Sequence, residues 1–246
     1  MTRRFFLSAS ASLLAVTSVF ADPAPKEMKL FLLIGQSNMA GRGKVEAQDK
    51  VENPHIFMLT KDLKWVVAKD PIHFDKPVAG VGPGSEFARE IQKANPGMTI
   101  GLIPCAVGGT SLDQWKAGGA LYKAAVERTK DAMKNGTLAG ILWHQGEADS
   151  APEKAATYVD RFEVMIGRLR KDLKADKVPV VVGELSHGHG SNDGVNVELA
   201  KAAKKVPLCG LASSEGLGNQ QLHFNSADAR TLGKRYAAEY LKLAKP

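Results

Sequence analysis

The sequence predicts an α/β protein, a single three-layer domain doubly wound around a mostly parallel sheet. Two observations predict it. Five short apolar runs, at 28–34, 98–107, 138–143, 178–185 and 206–212, lack the alternation of a half-exposed strand and read as strands buried on both faces. Between them lie segments with helical spacing, and the connections are long enough for the crossovers that parallel strands require.

In chain order, MKLFLLI (28–34) is the first strand and stops at Gly35. The stretch 45–81 is irregular, with strand-like pieces at 55–59 and 64–67, and reads as a long insertion covering part of one sheet edge. A helix starting near Ser85 sets Phe87, Ala88 and Ile91 on one face. Ser150-Ala-Pro-Glu153 has the form of a capping box with proline in the first turn, and Tyr158, Phe162, Ile166, Leu169 and Leu173 continue it at helical spacing. A third helix covers 196–205, and the last follows Ser226 with Leu232, Tyr236 and Tyr240 aligned. No linker divides the chain, and 246 residues are enough to bury a sizeable core in one domain.

The N-terminus reads as a processing segment. Arg3 and Arg4 precede an apolar stretch from Phe5 to Phe20, and Ala21 supplies the small residue at a cleavage site. The run is about 16 residues, short of the roughly 20 a membrane span needs. Residues 1–21 are therefore expected to be a signal peptide, and 22–246 the exported domain, periplasmic or secreted, with no stable membrane insertion after cleavage. Cleavage lowers the formal charge from +7 to +5, since Arg3 and Arg4 leave with no acid. The remaining basic residues are scattered, with Lys201, Lys204 and Lys205 the tightest group, so no nucleic-acid partner is expected. Cys105 and Cys209 each end an apolar run, the setting of a buried free thiol, with a disulfide the less favoured alternative. Oligomeric state is not legible.

In a parallel sheet, ligands bind beyond the carboxyl ends of the strands. Those ends carry GQSNMAGRG (35–43), PCAVGGTSLDQW (104–115) and WHQGEAD (143–149), and LHF (222–224) precedes the last helix. Ser37, in a tight turn between Gly35 and Gly41, is the candidate nucleophile. Ser85, Ser111 and Ser150 are rivals, but Ser85 and Ser150 have good capping roles. Gly108, Gly109 and Gln145 are natural oxyanion donors, because glycine lets a backbone N–H approach a ligand and the Gln amide adds another donor. His187 and His189 form an H-x-H pair with no third ligand at a recognisable spacing, so neither metal nor cofactor is expected. The flexible loop around them, 186–195, is expected to contact substrate.

Taken together and in order, GQSNMAGRG, GGTSLDQW, WHQGEAD and LHF resemble the SGNH-hydrolase superfamily, and within it carbohydrate esterase family 6 and the sialate O-acetylesterase-like proteins. The resemblance spans roughly residues 28–243. It implies a flavodoxin-like α/β fold and a metal-independent serine esterase that removes acetyl groups from carbohydrate. By position it implies Ser37 as nucleophile, His223 as general base, and an oxyanion hole of the Ser37 N–H, Gly109 (or Gly108) and Gln145. Asn38, Gly108, His187 and His189 are expected to touch substrate. Many relatives carry Asp three residues before the histidine, where this chain has Gln220. The orienting acid is then expected to be Glu147 from another strand end, with Gln220 as the alternative. A carbohydrate-binding protein that kept the fold and lost turnover is the alternative reading of the whole. The acetylated substrate, whether xylan, sialic acid or another glycan, is not specified by these residues.

Overall fold

The computed structural model describes residues 25–244, so the expected signal peptide lies outside the described residues. Seven strands form one sheet: β1 (Met28–Gly35), β2 (Ile56–Leu59), β3 (Trp65–Val67), β4 (Ile100–Pro104), β5 (Gly136–His144), β6 (Val180–Gly183) and β7 (Cys209–Ala212). Their spatial order is β3-β2-β4-β1-β5-β6-β7, and every pairing is parallel except β2–β3. The expected α/β sheet is the one observed. The segment 45–81 does more than cover an edge, because β2 and β3 extend the sheet there.

The helices are α1 (Ser37–Ala40), α2 (Pro83–Ala94), α3 (Ala120–Ala132), α4 (Pro152–Ala155), α5 (Tyr158–Asp172), α6 (Asn192–Lys205) and α7 (Ser226–Leu243). They sort into two layers by the pleat of β1. Leu30, Leu32 and Ile34 pack toward α3, α5 and α6, while Phe31 and Leu33 pack toward α2 and α7. On the second side Phe31, Phe87 and Tyr240 meet edge-on, with ring centroids 4.9–5.8 Å apart. No helix among the described residues is long and apolar enough to cross a membrane.

Three local expectations are corrected. Ser150 does not cap a helix: its Oγ donates to Glu147 O, and the helix begins at Pro152, breaks after Ala155 and restarts at Tyr158. Ser85 lies inside α2 and donates to Asp70 Oδ2 at 2.6 Å. The loop at 186–195 is shorter than expected, since α6 already begins at Asn192. Cys105 and Cys209 are free thiols. They sit at the ends of β4 and β7, four steps apart in the sheet and roughly 19 Å at the usual strand spacing, far beyond the roughly 7 Å a disulfide tolerates.

Candidate active site

The site forms where the chain's progression across the sheet reverses, around the carboxyl end of β1. Pairing continues past β4, with Cys105 N donating to Leu33 O and Val107 N to Gly35 O. This sets Gly108 and Gly109 beside the residues that follow β1. On the other side Gln36 N donates to His144 O at 2.8 Å, which brings in the 145–149 segment. Gly35 permits this convergence. Its φ is +126°, and a Cβ there would lie 2.1 Å from His144 O. The chain turns sharply at Gln36 and Ser37 opens α1.

Ser37 Oγ and His223 Nε2 stand 3.0 Å apart. They line a cleft of about 400 Å³ together with Gln36, Arg42, Lys76, Gly109 and Leu222. A groove of similar size between α3 and α5, around Tyr122 and Arg168, holds no such nucleophile–base pair. His223 arrives on the segment between β7 and α7. Its neighbour Phe224 is buried, with its ring edge-on to His144 at 5.8 Å, and Asn225 caps α7 by accepting from Asp228 N. Burial, then the charges of Arg42 and His189, hold the His223 pKa below its ordinary value. Its Nδ1 makes no hydrogen bond among the described residues.

Glu147 makes no hydrogen bond to His223. Its Oε1 accepts from Asn38 Nδ2 at 2.6 Å, and the same amide spans the backbone on either side of the histidine. Asn38 Nδ2 also donates to Leu222 O at 3.0 Å, and Phe224 N donates to Asn38 Oδ1 at 3.1 Å. The expectation that Glu147 meets the imidazole directly is thus corrected: the carboxylate braces the clamp that fixes the residues flanking His223. Burial raises the Glu147 carboxyl to about 7, the opposite of what a charged triad partner experiences. Asn38 has its amide hydrogens and its Oδ1 engaged within this clamp. Gln220 gives no substitute. It is exposed, has φ of +61°, and uses its carbonyl to accept from His189 Nδ1 at 3.0 Å.

The oxyanion set changes as well. Gln145 is fully buried, and its Nε2 is occupied by Asp149 Oδ2 at 2.7 Å and Thr110 O at 3.1 Å, while Oε1 accepts from Tyr158 Oη. It grips the back of the 108–112 loop and does not face the cleft. Asp149 holds the same loop through Leu112 N at 2.8 Å. The Gly108 N–H is taken by Asp75 Oδ2. The Ser37 and Gly109 N–H groups make no hydrogen bond among the described residues, so these two are the donors left for an oxyanion. His187 sits between Asp193 at 3.0 Å and Glu184 at 3.4 Å, and neither it nor His189 lines the cleft. Among the described residues no three His, Cys, Asp or Glu side chains converge as metal ligands.

Arg42 and Lys76 line the cleft, Asp75 backs Arg42 from behind it, and none of the three is marked by the sequence patterns. The arginine lies within GQSNMAGRG, but Asp75 and Lys76 lie in the irregular 45–81 segment, where no periodicity marks which side chains turn inward.

The comparisons agree with this architecture. A family described as carbohydrate esterase, sialic acid-specific acetylesterase, matches residues 27–242. A probable carbohydrate esterase of Arabidopsis thaliana is 32% identical over 241 residues, covering 89% of this chain and 92% of that protein. A crystal structure of an Arabidopsis thaliana protein superposes with a TM-score of 0.81 at 31% identity, covering 89% of this chain and 99% of that one. The fold is also that of NanS, with a TM-score of 0.75 at 17% identity, covering 89% and 98% of the two chains.

Proposed function

Because the chain belongs to the carbohydrate esterase family of sialic acid-specific acetylesterases and is a carbohydrate O-acetylesterase, we propose that it is an exported serine esterase acting through an acyl-enzyme, with Ser37 as nucleophile and His223 as general base. The observation that carries this reading is the 3.0 Å approach of His223 Nε2 to Ser37 Oγ at the open end of the sheet. His223 takes the hydroxyl proton as Oγ attacks the acetyl carbonyl. The oxyanion forms against the Ser37 and Gly109 N–H groups, and His223 then protonates the departing sugar oxygen. Water removes the acetyl group by the same route. The lowered pKa of His223 keeps the ring neutral, and so basic, at neutral pH.

Export rests on the Arg3-Arg4, apolar and Ala21 arrangement of the N-terminus. The substrate is an acetylated carbohydrate, and both sialic acid and xylan fit the mechanism. Acetate release from acetylated xylan, acetylated sialic acid and 4-nitrophenyl acetate, with and without EDTA, tests the reading. Activity on at least one that survives EDTA and disappears in Ser37→Ala is expected. An active Ser37→Ala enzyme, or loss in EDTA restored by zinc, overturns it.

A further inference from the structure

Asp75 is a charged residue that the reaction as described leaves unused. Its side chain is only 1% exposed, and it ties together two residues that line the cleft, Arg42 and Gly108. Oδ2 accepts from Arg42 Nη2 at 2.7 Å and from the Gly108 N–H at 2.9 Å, while Oδ1 receives a longer bond from Arg42 Nη1 at 3.5 Å. Arg42 follows α1 and also donates to Gly41 O. The packing here is tight. A Cβ on Gly108 would fall 2.3 Å from Arg42 Nη2, 3.1 Å from Asp75 Oδ2 and 3.4 Å from Ser37 Cβ. Guanidinium, carboxylate, glycine peptide and nucleophile thus fill one layer with no room for a side chain.

We propose that Asp75 is a positioning residue for the oxyanion hole: it anchors the Gly108 N–H so that the next N–H, that of Gly109, is left to face the reacting carbonyl, and it neutralises Arg42 beside the base. Gln145 and Asp149 hold the loop at Thr110 and Leu112, and Asp75 holds it at Gly108. Burial alone would raise the Asp75 carboxyl. The hydrogen bonds from Arg42 and Gly108 overcome that and keep it below its ordinary range, so the anchor stays ionised. The charged and titratable groups around His223 are Arg42 after α1, Lys76 from the 45–81 segment, Glu147 after β5 and His189 after β6, with Asp75 behind Arg42 and the buried His73 acting on Asp75. Removing the charge of Asp75 leaves Arg42 uncompensated, and a bare cation disfavours the imidazolium.

This inference rests on Ser37 being the nucleophile, so Ser37→Ala is measured beside Asp75→Ala, Asp75→Asn and Arg42→Gln on 4-nitrophenyl acetate across pH. Asp75→Ala is expected to lower kcat by about 10- to 100-fold with KM nearly unchanged, part of what a lost oxyanion donor costs. Asp75→Asn keeps an acceptor for Gly108 and recovers most of kcat. Its acid limb in kcat/KM moves to lower pH, whereas in Arg42→Gln it moves to higher pH. An Asp75→Ala enzyme with unchanged kcat overturns the role. So does an Asp75→Asn enzyme with an unmoved limb, which also decides the matter should Asp75→Ala not fold. An active Ser37→Ala enzyme removes the nucleophile reading instead, while an inactive one beside a fully active Asp75→Ala removes only Asp75.

Discussion

Glu147 accepts from Asn38 at 2.6 Å, and Asn38 in turn holds the carbonyl of Leu222 and the N–H of Phe224, the two residues that flank His223. His223 is therefore held through the backbone on either side of it, with a neutral amide as the intermediary. Burial pushes the Glu147 carboxyl up to about 7, so the clamp rests on its hydrogen bond to Asn38 more than on a fixed charge.

This arrangement reverses the usual ranking of triad mutants. Glu147→Gln retains an oxygen for Asn38 and is expected to change kcat by less than about tenfold, whereas loss of a true triad acid costs about 10⁴. Asn38→Ala releases both sides of the histidine and is expected to cost more than Glu147→Gln. Steady-state kinetics on one ester decide it, and a Glu147→Gln loss of several orders of magnitude would restore the direct role.

Gln145→Ala is expected to damage the fold before the chemistry. It removes a buried side chain and its hydrogen bonds to Asp149, Thr110 O and Tyr158, each worth about 0.5–1.5 kcal/mol net. Urea unfolding should register that loss. An enzyme of unchanged stability with kcat down by about 10²–10³ would return Gln145 to the oxyanion hole.

Asp70 gives stability a pH signature. Burial, partly offset by the Ser85 hydrogen bond, raises its pKa to about 7 from 3.8. A raised folded-state pKa contributes stability that is complete below the unfolded value and lost as pH rises through the folded one, here between about 4 and 7. Asp70→Asn removes that loss, so its stability relative to the parent should improve over this window by up to about 4 kcal/mol at 1.36 kcal/mol per unit. The buried His73 and His144, lowered to about 4 and about 3, act in the opposite sense and lose stability as pH falls below 6.5. Denaturation of both proteins at pH 4.5 and 7.5 checks the prediction, and a pH-independent difference contradicts it.

Burial also pushes the Cys105 and Cys209 thiols up to about 12. Thiol titration of protein purified without reductant should find both unreactive when folded and both free when unfolded. Finding none after unfolding would mean they had paired.

The centre of the sheet was legible because β1, β4, β5 and β6 are largely buried on both faces and write themselves as unbroken apolar runs, unlike the partly exposed β2 and β3. α3 was not, and its inward face explains why: Tyr122, Ala125, Val126, Thr129 and Ala132 are mostly small or polar, so its stripe scarcely stands out. That Ser37, Gly109 and His223 share one cleft was legible because short motifs name them and strand ends collect them. Glu147, Asn38 and Gln145 lie in the expected neighbourhood with other contacts than those expected. A side chain's partner depends on ångström-scale direction, and neither spacing nor composition encodes whether an amide faces the cleft or the core. Asp75 was out of reach altogether, since only the path of the 45–81 segment brings it 2.9 Å from Gly108 N.

The central claim, that Ser37 is activated by His223, is tested most directly by labelling with a fluorophosphonate at neutral pH and locating the adduct by peptide mass spectrometry. The account predicts one adduct per chain, on Ser37, with acetylesterase activity lost in proportion and labelling abolished in His223→Ala. An adduct on another residue, or full activity after stoichiometric labelling of Ser37, would contradict it.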